Sequence, residues 1–501
     1  MKKVINATFF YSILFFSLLI IFSTGWLEKN FGLIDLDSLL FHINVPLKGS
    51  ESNMIKSFLF DPLIKAILYT IIFIIIFVIK KYYKILIDIK ISKFKINEFS
   101  LLEFIYRIRI ILVVITLFLS VINFCNKFKV FEYIKNLVTY STFIEDNYVD
   151  PKNAEIKFEQ KRNLIYIISE SMEFTYADKA NGGAYDENLI PNLTKYAQNE
   201  ISFRNSNNAG FTNSRATGWT IAAMVAETAG IGFYVPMSAN DYGKYSKFLP
   251  GVYSLGDILE NEDYNQTLLI GSDGNFAGRK QYFESHGNYK VKDYYYAIEK
   301  DWIPKDYYEW WGYEDSKLFE FAKDELKELS KKEEPFNLTL LTTNTHHIGG
   351  YLEEDCEIKY DEQLKNVVLC SDNQIYDFVE WIKKQKFYKD TTIVIVGDHL
   401  SMEPEFFNNL EDYERTNYNV FINSAVDTEN NYNREFTTMD MYPTILSSMG
   451  AQIKGNKLGL GTNLFSKEKT LYEEYGKDYV EKELEKNSSY YKRYIMYGKE
   501  S

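Results

Sequence analysis

Three long apolar runs lie within the first quarter of this chain of 501 residues. Residues 8–26, 58–79 and 108–124 are each close to the ~20 residues a helix needs to cross a bilayer. Asp61 and Lys65, near one end of the second run, are its only charges. Helices apolar on every side suit lipid better than a soluble core, so three membrane spans are expected. Met1-Lys2-Lys3 would suit the start of a cleaved signal peptide. The first run is long for such a segment and lacks a small-x-small cleavage pattern, so a retained anchor is expected instead. Between the second and third runs lie Lys80, Lys81, Lys84, Lys90, Lys93, Lys95, Arg107 and Arg109, against only Asp88, Glu98 and Glu103. Basic loops stay in the cytoplasm. This one and the N-terminus are therefore placed inside, and everything after about residue 126 on the outer face of the membrane.

The formal charge of −13 argues against nucleic acid as a partner. Of three cysteines, Cys125 ends the third run, while Cys356 and Cys370 fall in the exported part. A pair in an oxidising compartment reads as a disulfide. Metal binding by the pair is the weaker alternative, since no CxxC supports it.

The chain divides into a membrane region (1–126), a juxtamembrane helix and linker broken at Pro151 (127–160), a domain over 161–466, and a tail (467–501). The tail is rich in Lys, Glu and Tyr and reads as a solvated helix or surface arm. Within 161–466, short β-prone runs end in polar residues: 164–168 in Ser169-Glu170, 267–270 in Gly271-Ser272-Asp273, 338–341 in TTNTHH, and 393–396 in Gly397-Asp398-His399. Continuous apolar runs of this length fit strands buried on both faces. Ile375, Phe378, Val379 and Ile382 mark a crossover helix over 371–386, with Ser371 or Asp372 as its N-cap. The class is α/β with a mainly parallel sheet and flanking helices.

Ligands of such sheets bind at the carboxyl ends of the strands. Glu170, Asp398 and His399 form a mixed oxygen and nitrogen set suited to Mn²⁺, Mg²⁺ or Zn²⁺. The bland alternative is that Asp398 caps a helix and His399 packs. Thr217, in SRATGWTIAAM, is placed at a helix N-terminus, where the dipole favours an anion. It reads either as an ordinary cap or as a nucleophile. Thr220, one turn on, is assigned to packing, with a nucleophile's role as the alternative. Ser171 is expected to start a helix and Trp219 to lie in the core or at the rim; Arg215 is expected at the surface, with pairing to phosphate as the alternative, and His286 either to be structural or to orient the substrate loop.

Six segments together resemble the phosphoglycerol transferases of the alkaline phosphatase and sulfatase superfamily: NLIYIISESME, TGWTIAAMVA, GSDGNFAGRKQYFESHG, NTHHIGG, VGDHLSM and FTTMDMYPTILSSMGAQIKGNKLGLGTNLF. That family includes the lipoteichoic acid synthases and the transferases that decorate periplasmic glucans, and the glucan branch is the more similar. The resemblance covers roughly residues 160–466 and implies an alkaline phosphatase-like fold. It also implies a site: Glu170, Thr217, Asp398 and His399 as ligands of one divalent metal, Mn²⁺ foremost and Mg²⁺ or Zn²⁺ otherwise. Thr217 would also be the nucleophile. Arg279 of FAGR matches a substrate-binding arginine, His346 matches a catalytic histidine with His347 as the alternative, and Asp273 sits at the substrate edge. FAGR lacks the tryptophan of the FWNR found in the lipoteichoic enzymes.

The implied activity is transfer of glycerol phosphate from phosphatidylglycerol to an extracytoplasmic glycan or polymer through a phosphothreonine. Phosphoethanolamine transfer is the runner-up. A sulfatase activity is disfavoured because no Cys/Ser-x-Pro-x-Arg motif is present. A scaffold protein with a dead site would be expected to have lost a metal ligand.

Overall fold

In the computed structural model, residues 2–31, 36, 39–40, 56–82, 87–91, 94–99, 101–205, 210–234, 247–410 and 413–499 are described. The apolar runs form helices α1 (Lys2–Phe31), α2 (Ile64–Tyr82) and α3 (Leu101–Lys127). Their stretches Ala7–Asn30, Lys56–Ile79 and Phe104–Lys127 are long and apolar enough to cross a membrane. Before α2 the helix widens into a π turn over Leu59–Leu63, around Pro62, which has no amide to donate. Phe10, Leu14 and Val113 pack with Phe73 and Phe77 among these helices. Within the basic segment, Lys84 and Lys93 lie outside the described residues.

The chain separates into two compact units, residues 1–36 with 51–134, and 37–50 with 135–501. The second holds a six-stranded sheet: β1 (Asn163–Ser169), β2 (Asn265–Ile270), β3 (Lys290–Lys292), β4 (Phe336–Leu341), β5 (Thr391–Gly397) and β6 (Asn419–Ile422). The order is β3-β2-β4-β1-β5-β6, parallel except for β6. Side chains alternate between two cores. Leu164, Tyr166, Ile168, Val394 and Val396 join one, while Ile165, Ile167, Ile393 and Ile395 join the other. Burial on both faces is why these strands read as unbroken apolar runs.

Helices cover both faces: α4 (Pro191–Asn199), α5 (Thr220–Ala229), α6 (Asp315–Leu329) and α7 (Gln363–Lys383). Helix α7 starts eight residues before Ser371 and nine before Asp372, the two expected N-caps. Asp372 is instead buried and accepts bonds from the Asn192 and Leu193 amides at 3.1 and 2.8 Å. It thus caps α4, whose own N-cap Ile190 has no side-chain acceptor. A residue that looked like a local cap was recruited by a neighbouring helix.

The tail also departs from the expected solvated arm. It forms α8 (Leu471–Tyr475) and α9 (Lys477–Leu484), and Leu471, Tyr472, Val480, Leu484, Tyr491 and Ile495 are buried in the main core. Cys356 and Cys370 form a disulfide, with Cα atoms 5.6 Å apart.

Candidate active site

Strand register builds the site. Ser169 lies opposite Gly397, and Ile168 lies opposite Leu341. The residues just past these strands, Glu170, Asp398 and Thr342, therefore arrive at one edge. Gly397 is required there, because a Cβ would stand 1.8 Å from the Met172 carbonyl oxygen. The Asp398 carboxylate accepts the Ser171 and His399 amides, both at 2.8 Å. Ser171 also donates its hydroxyl to Glu170 at 2.9 Å, and the Thr342 hydroxyl accepts the Glu170 amide at 3.0 Å. Ser171 thus braces two carboxylates and starts no long helix.

Glu170, Asp398 and His399 are all buried, and one ligand atom from each lies within 4.8 Å of the others. His399 Nε2 is 3.4 Å from both a Glu170 and an Asp398 oxygen. Its Nδ1 faces the Leu400 carbonyl at 3.0 Å, so Nδ1 carries a proton and Nε2 faces the carboxylates. Burial pushes the Asp398 carboxyl up and Glu170 adds to it, while His399 opposes. Burial would lower His399, but Asp398 and Glu170 outweigh it and hold the imidazole above its ordinary value. Asp398 Oδ2 is buried with no hydrogen-bond donor among the described residues. Two buried carboxylates, one of them with an oxygen that no described group bonds, and an imidazole nitrogen make a group that could hold a divalent cation.

The structure brings Thr220, not Thr217, to this cluster. Thr220 Oγ1 is 3.3 Å from Glu170 Oε2 and 3.4 Å from His399 Nε2. It is the first residue of α5, whose N-cap Trp219 is extended (φ −148°, ψ 157°). Thr217 lies three residues earlier and fully buried. Its hydroxyl donates to the Ser214 carbonyl at 2.9 Å and neighbours Thr438 Oγ1 at 3.3 Å. The expected helix start was three residues early, because buried Trp219, packed on Phe233, keeps the chain extended there. A signal was available: Gly-Trp before Thr is a poor first turn.

Arg279 is buried and donates to the Phe276 and Asp273 carbonyls at 3.1 and 2.9 Å. Burial lowers it to about 10, against the pull of Glu170, Asp273 and Asp293, so it stays charged at neutral pH. The Asp273 carboxylate accepts from the Asn275 amide at 2.8 Å and closes its own turn. Asp273 therefore serves the site by holding Arg279 through its carbonyl. His346 Nδ1 meets the His347 carbonyl at 2.6 Å, and burial lowers its pKa despite Glu170. His347 turns away to Glu403 at 3.0 Å. Of the two readings of His286 the structure fits the structural one, with the ring bonded to Asp257 at 3.1 Å and to the Phe248 carbonyl. Arg215 is half-buried rather than a bare surface residue, and its backbone amide donates to Glu481 at 2.9 Å.

Sequence reading missed the braces. Glu173 accepts the Ser401 amide at 2.8 Å and pairs with Arg415, tying the loop after β1 to the loop after β5. Asn213 donates to the Thr217 and Asp398 carbonyls at 3.1 and 3.0 Å. Neither has a local sequence signature.

The profile of the family described as Sulfatase matches residues 162–451, more than half of the chain. The chain belongs to the sulfatase family. It is 30% identical over 336 residues to phosphoglycerol transferase I of Xanthomonas campestris pv. campestris (strain B100), covering 66% of this chain and 46% of that protein. It is 31% identical over 315 residues to phosphoglycerol transferase I of Escherichia coli O6:K15:H31 (strain 536 / UPEC), covering 61% and 39%. The chain thus spans less than half the length of these curated relatives. Among solved structures, lipoteichoic acid synthase LtaP from Listeria monocytogenes aligns with a TM-score of 0.49 and 19% identity, over 65% of this chain and 81% of that one. Sheet and site sit within the matched span of this sulfatase-family chain.

Proposed function

We propose that this sulfatase-family protein is a membrane-anchored transferase that moves glycerol phosphate from phosphatidylglycerol to an extracytoplasmic glycan or polymer. The observation that carries this reading is Thr220: a hydroxyl at a helix N-terminus, against a buried carboxylate and imidazole cluster, on a chain with three apolar helices. The relatives named phosphoglycerol transferase support the choice of group.

Glu170, Asp398, His399 and Thr220 would hold one divalent metal. When bound, that ion supplies positive charge that favours the threonine alkoxide and polarises a phosphoryl oxygen. Thr220 Oγ1 gives up its proton and bonds to phosphorus as the bond to the lipid oxygen breaks, and the proton passes through His346 to that oxygen, giving a phosphothreonine and diacylglycerol. The α5 N-terminus and Arg279 neutralise charge on the phosphoryl oxygens. In the second displacement an acceptor hydroxyl attacks the same phosphorus and frees Thr220. His346 has its Nδ1 proton on the His347 carbonyl and is held neutral by burial, so its Nε2 is available to take the acceptor's proton.

The protein is expected to move label from the headgroup of radiolabelled phosphatidylglycerol to a water-soluble glycan and to release diacylglycerol. Label moving only from phosphatidylethanolamine would replace the proposed donor. Release without any acceptor-dependent product would reduce the reading to a hydrolase.

The basic segment motivates placing this domain on the outer face. The disulfide offers a check, since such bonds persist in oxidising compartments. Non-reducing peptide mapping of protein from the cell envelope is expected to find Cys356 joined to Cys370. Finding both as free thiols would put the domain on the reducing side. Chain entropy gives a bridge closing a loop of this size about 3 kcal/mol of stability, so Cys356→Ser should lower the melting temperature.

A further inference from the structure

Trp311 stands beside the proposed site with a buried polar atom that the mechanism does not use. The residue is 9% exposed, and its Nε1–H meets no hydrogen-bond acceptor among the described residues. Its ring centroid is 4.6 Å from that of His346 and 5.6 Å from that of Phe276. The Arg279 guanidinium lies over the same Phe276 ring, 5.4 Å from its centroid. The indole therefore packs between the imidazole assigned to proton transfer and the ring that supports the phosphate-binding arginine.

The turn that carries Trp311 is fixed to the strand ends. Gly312 bridges Ser272 just past β2, and the Tyr313 amide donates to the Gly271 carbonyl at 3.0 Å. Gly271 allows this approach, as a Cβ there would stand 2.3 Å from the Tyr313 carbonyl oxygen. Trp310 donates its own Nε1–H to the Thr343 carbonyl past β4, at 3.1 Å. Trp310 also holds φ at +56°, a left-handed conformation that bulky residues avoid. Strained backbone of this kind persists where surrounding contacts over-determine it, and it clusters at ligand sites.

A buried N–H left unpaired is disfavoured, and native structures leave few of them. An indole N–H donates and cannot accept, so its missing partner must present an oxygen lone pair. We infer that Trp311 is a further substrate-binding residue, its indole N–H donating to an oxygen of the polyol phosphate handled at this site. This rests on the transferase reading above. The oxygen belongs either to the phosphoryl group or to a polyol hydroxyl, and the ligands used below separate the two.

Trp311→Phe keeps a ring between His346 and Phe276 and removes only the N–H. Calorimetric titration of the full metal-loaded chain in detergent, with sn-glycerol 1-phosphate and with inorganic phosphate, reads the effect. The variant is expected to bind glycerol phosphate about tenfold or more weakly, as for a lost hydrogen bond to a charged group, and to melt as wild type does. Equal weakening for inorganic phosphate assigns the phosphoryl oxygen, and weakening for glycerol phosphate alone assigns the hydroxyl. A second measurement reads ligand binding on the wild type and uses the variant only to assign one signal. With indole-¹⁵N label on the six tryptophans, the one N–H signal missing from Trp311→Phe should shift when wild type binds glycerol phosphate. Unchanged affinity in the variant, or a signal that stays still at saturation, would overturn the inference and give the N–H to water. Failure of the lipid assay with Trp311-dependent glycerol phosphate binding intact would sink the transferase reading alone.

Discussion

Thr220→Ala is expected to reduce transfer to background while the protein melts close to wild type. Thr217→Ala is expected to do the reverse. Trp219 occupies the N-cap of α5, so Thr220 has no capping bond to lose. Its hydroxyl bonds only weakly, at 3.3 and 3.4 Å, to groups that are themselves braced from elsewhere. Removing it takes away the hydroxyl that meets both Glu170 and His399 and, with it, the covalent route. Thr217 is buried, and its hydroxyl satisfies the Ser214 carbonyl. Loss of that bond should destabilise the fold by about 1–3 kcal/mol, and activity per folded molecule should stay within about tenfold, or ~1.4 kcal/mol of barrier. Thr220→Ser should keep partial activity, since a hydroxyl remains at the helix end. Radiolabelled transfer beside thermal melts of the three variants decides the matter. A dead, normally folded Thr217→Ala beside an active Thr220→Ala would return the nucleophile to Thr217. Two active variants would remove the phosphothreonine from the mechanism.

The contrast between these two threonines marks how far the sequence could be read. The strands were legible because both faces of the sheet are buried, so runs such as Leu164–Ile168 are apolar throughout and stop where the chain meets the site. Their polar ends then named Glu170, Asp398 and His399 without any knowledge of topology. The start of α5 was misread, because Thr-Gly-Trp-Thr offers two threonines that can each begin a helix and the poor first turn of Gly-Trp is only a weak local cue between them. The choice is made by burial of Trp219 against Phe233, a contact between residues that local patterning does not pair. Asp372 misled for the same reason, as its carboxylate serves α4 rather than α7. The tail misled through composition: its Lys and Glu surround a sparse set, Leu471, Val480, Leu484 and Ile495, that enters the core. Trp311 was invisible because its meaning lies in an unpaired N–H and in two ring contacts made after folding.

Chelation is expected to abolish transfer, and Mn²⁺, Mg²⁺ or Zn²⁺ is expected to restore it. The reason lies in the charges that fold places together. Glu170 and Asp398 bring two carboxylates into a buried space beside the His399 imidazole, and Asp398 Oδ2 has no hydrogen-bond donor among the described residues. Like charges this close, out of water, destabilise each other unless a cation lies between them. A divalent ion that binds the folded state alone should therefore raise the melting temperature as well as restore turnover. At a hundredfold excess over its dissociation constant the gain is about 2.7 kcal/mol. Asp398→Asn keeps an oxygen to accept the Ser171 and His399 amides, and it removes one of the two like charges. That variant should be at least as stable as the wild type without metal, should gain little from added ion, and should not transfer. Melts of both proteins with and without each ion read the stability limb, and labelled phosphatidylglycerol reads the activity limb. Wild-type transfer that survives exhaustive chelation would remove the metal from the reaction. A wild-type melting temperature indifferent to all three ions would mean that Glu170, Asp398 and His399 hold no cation, and that the protonated imidazole is what keeps the two carboxylates together.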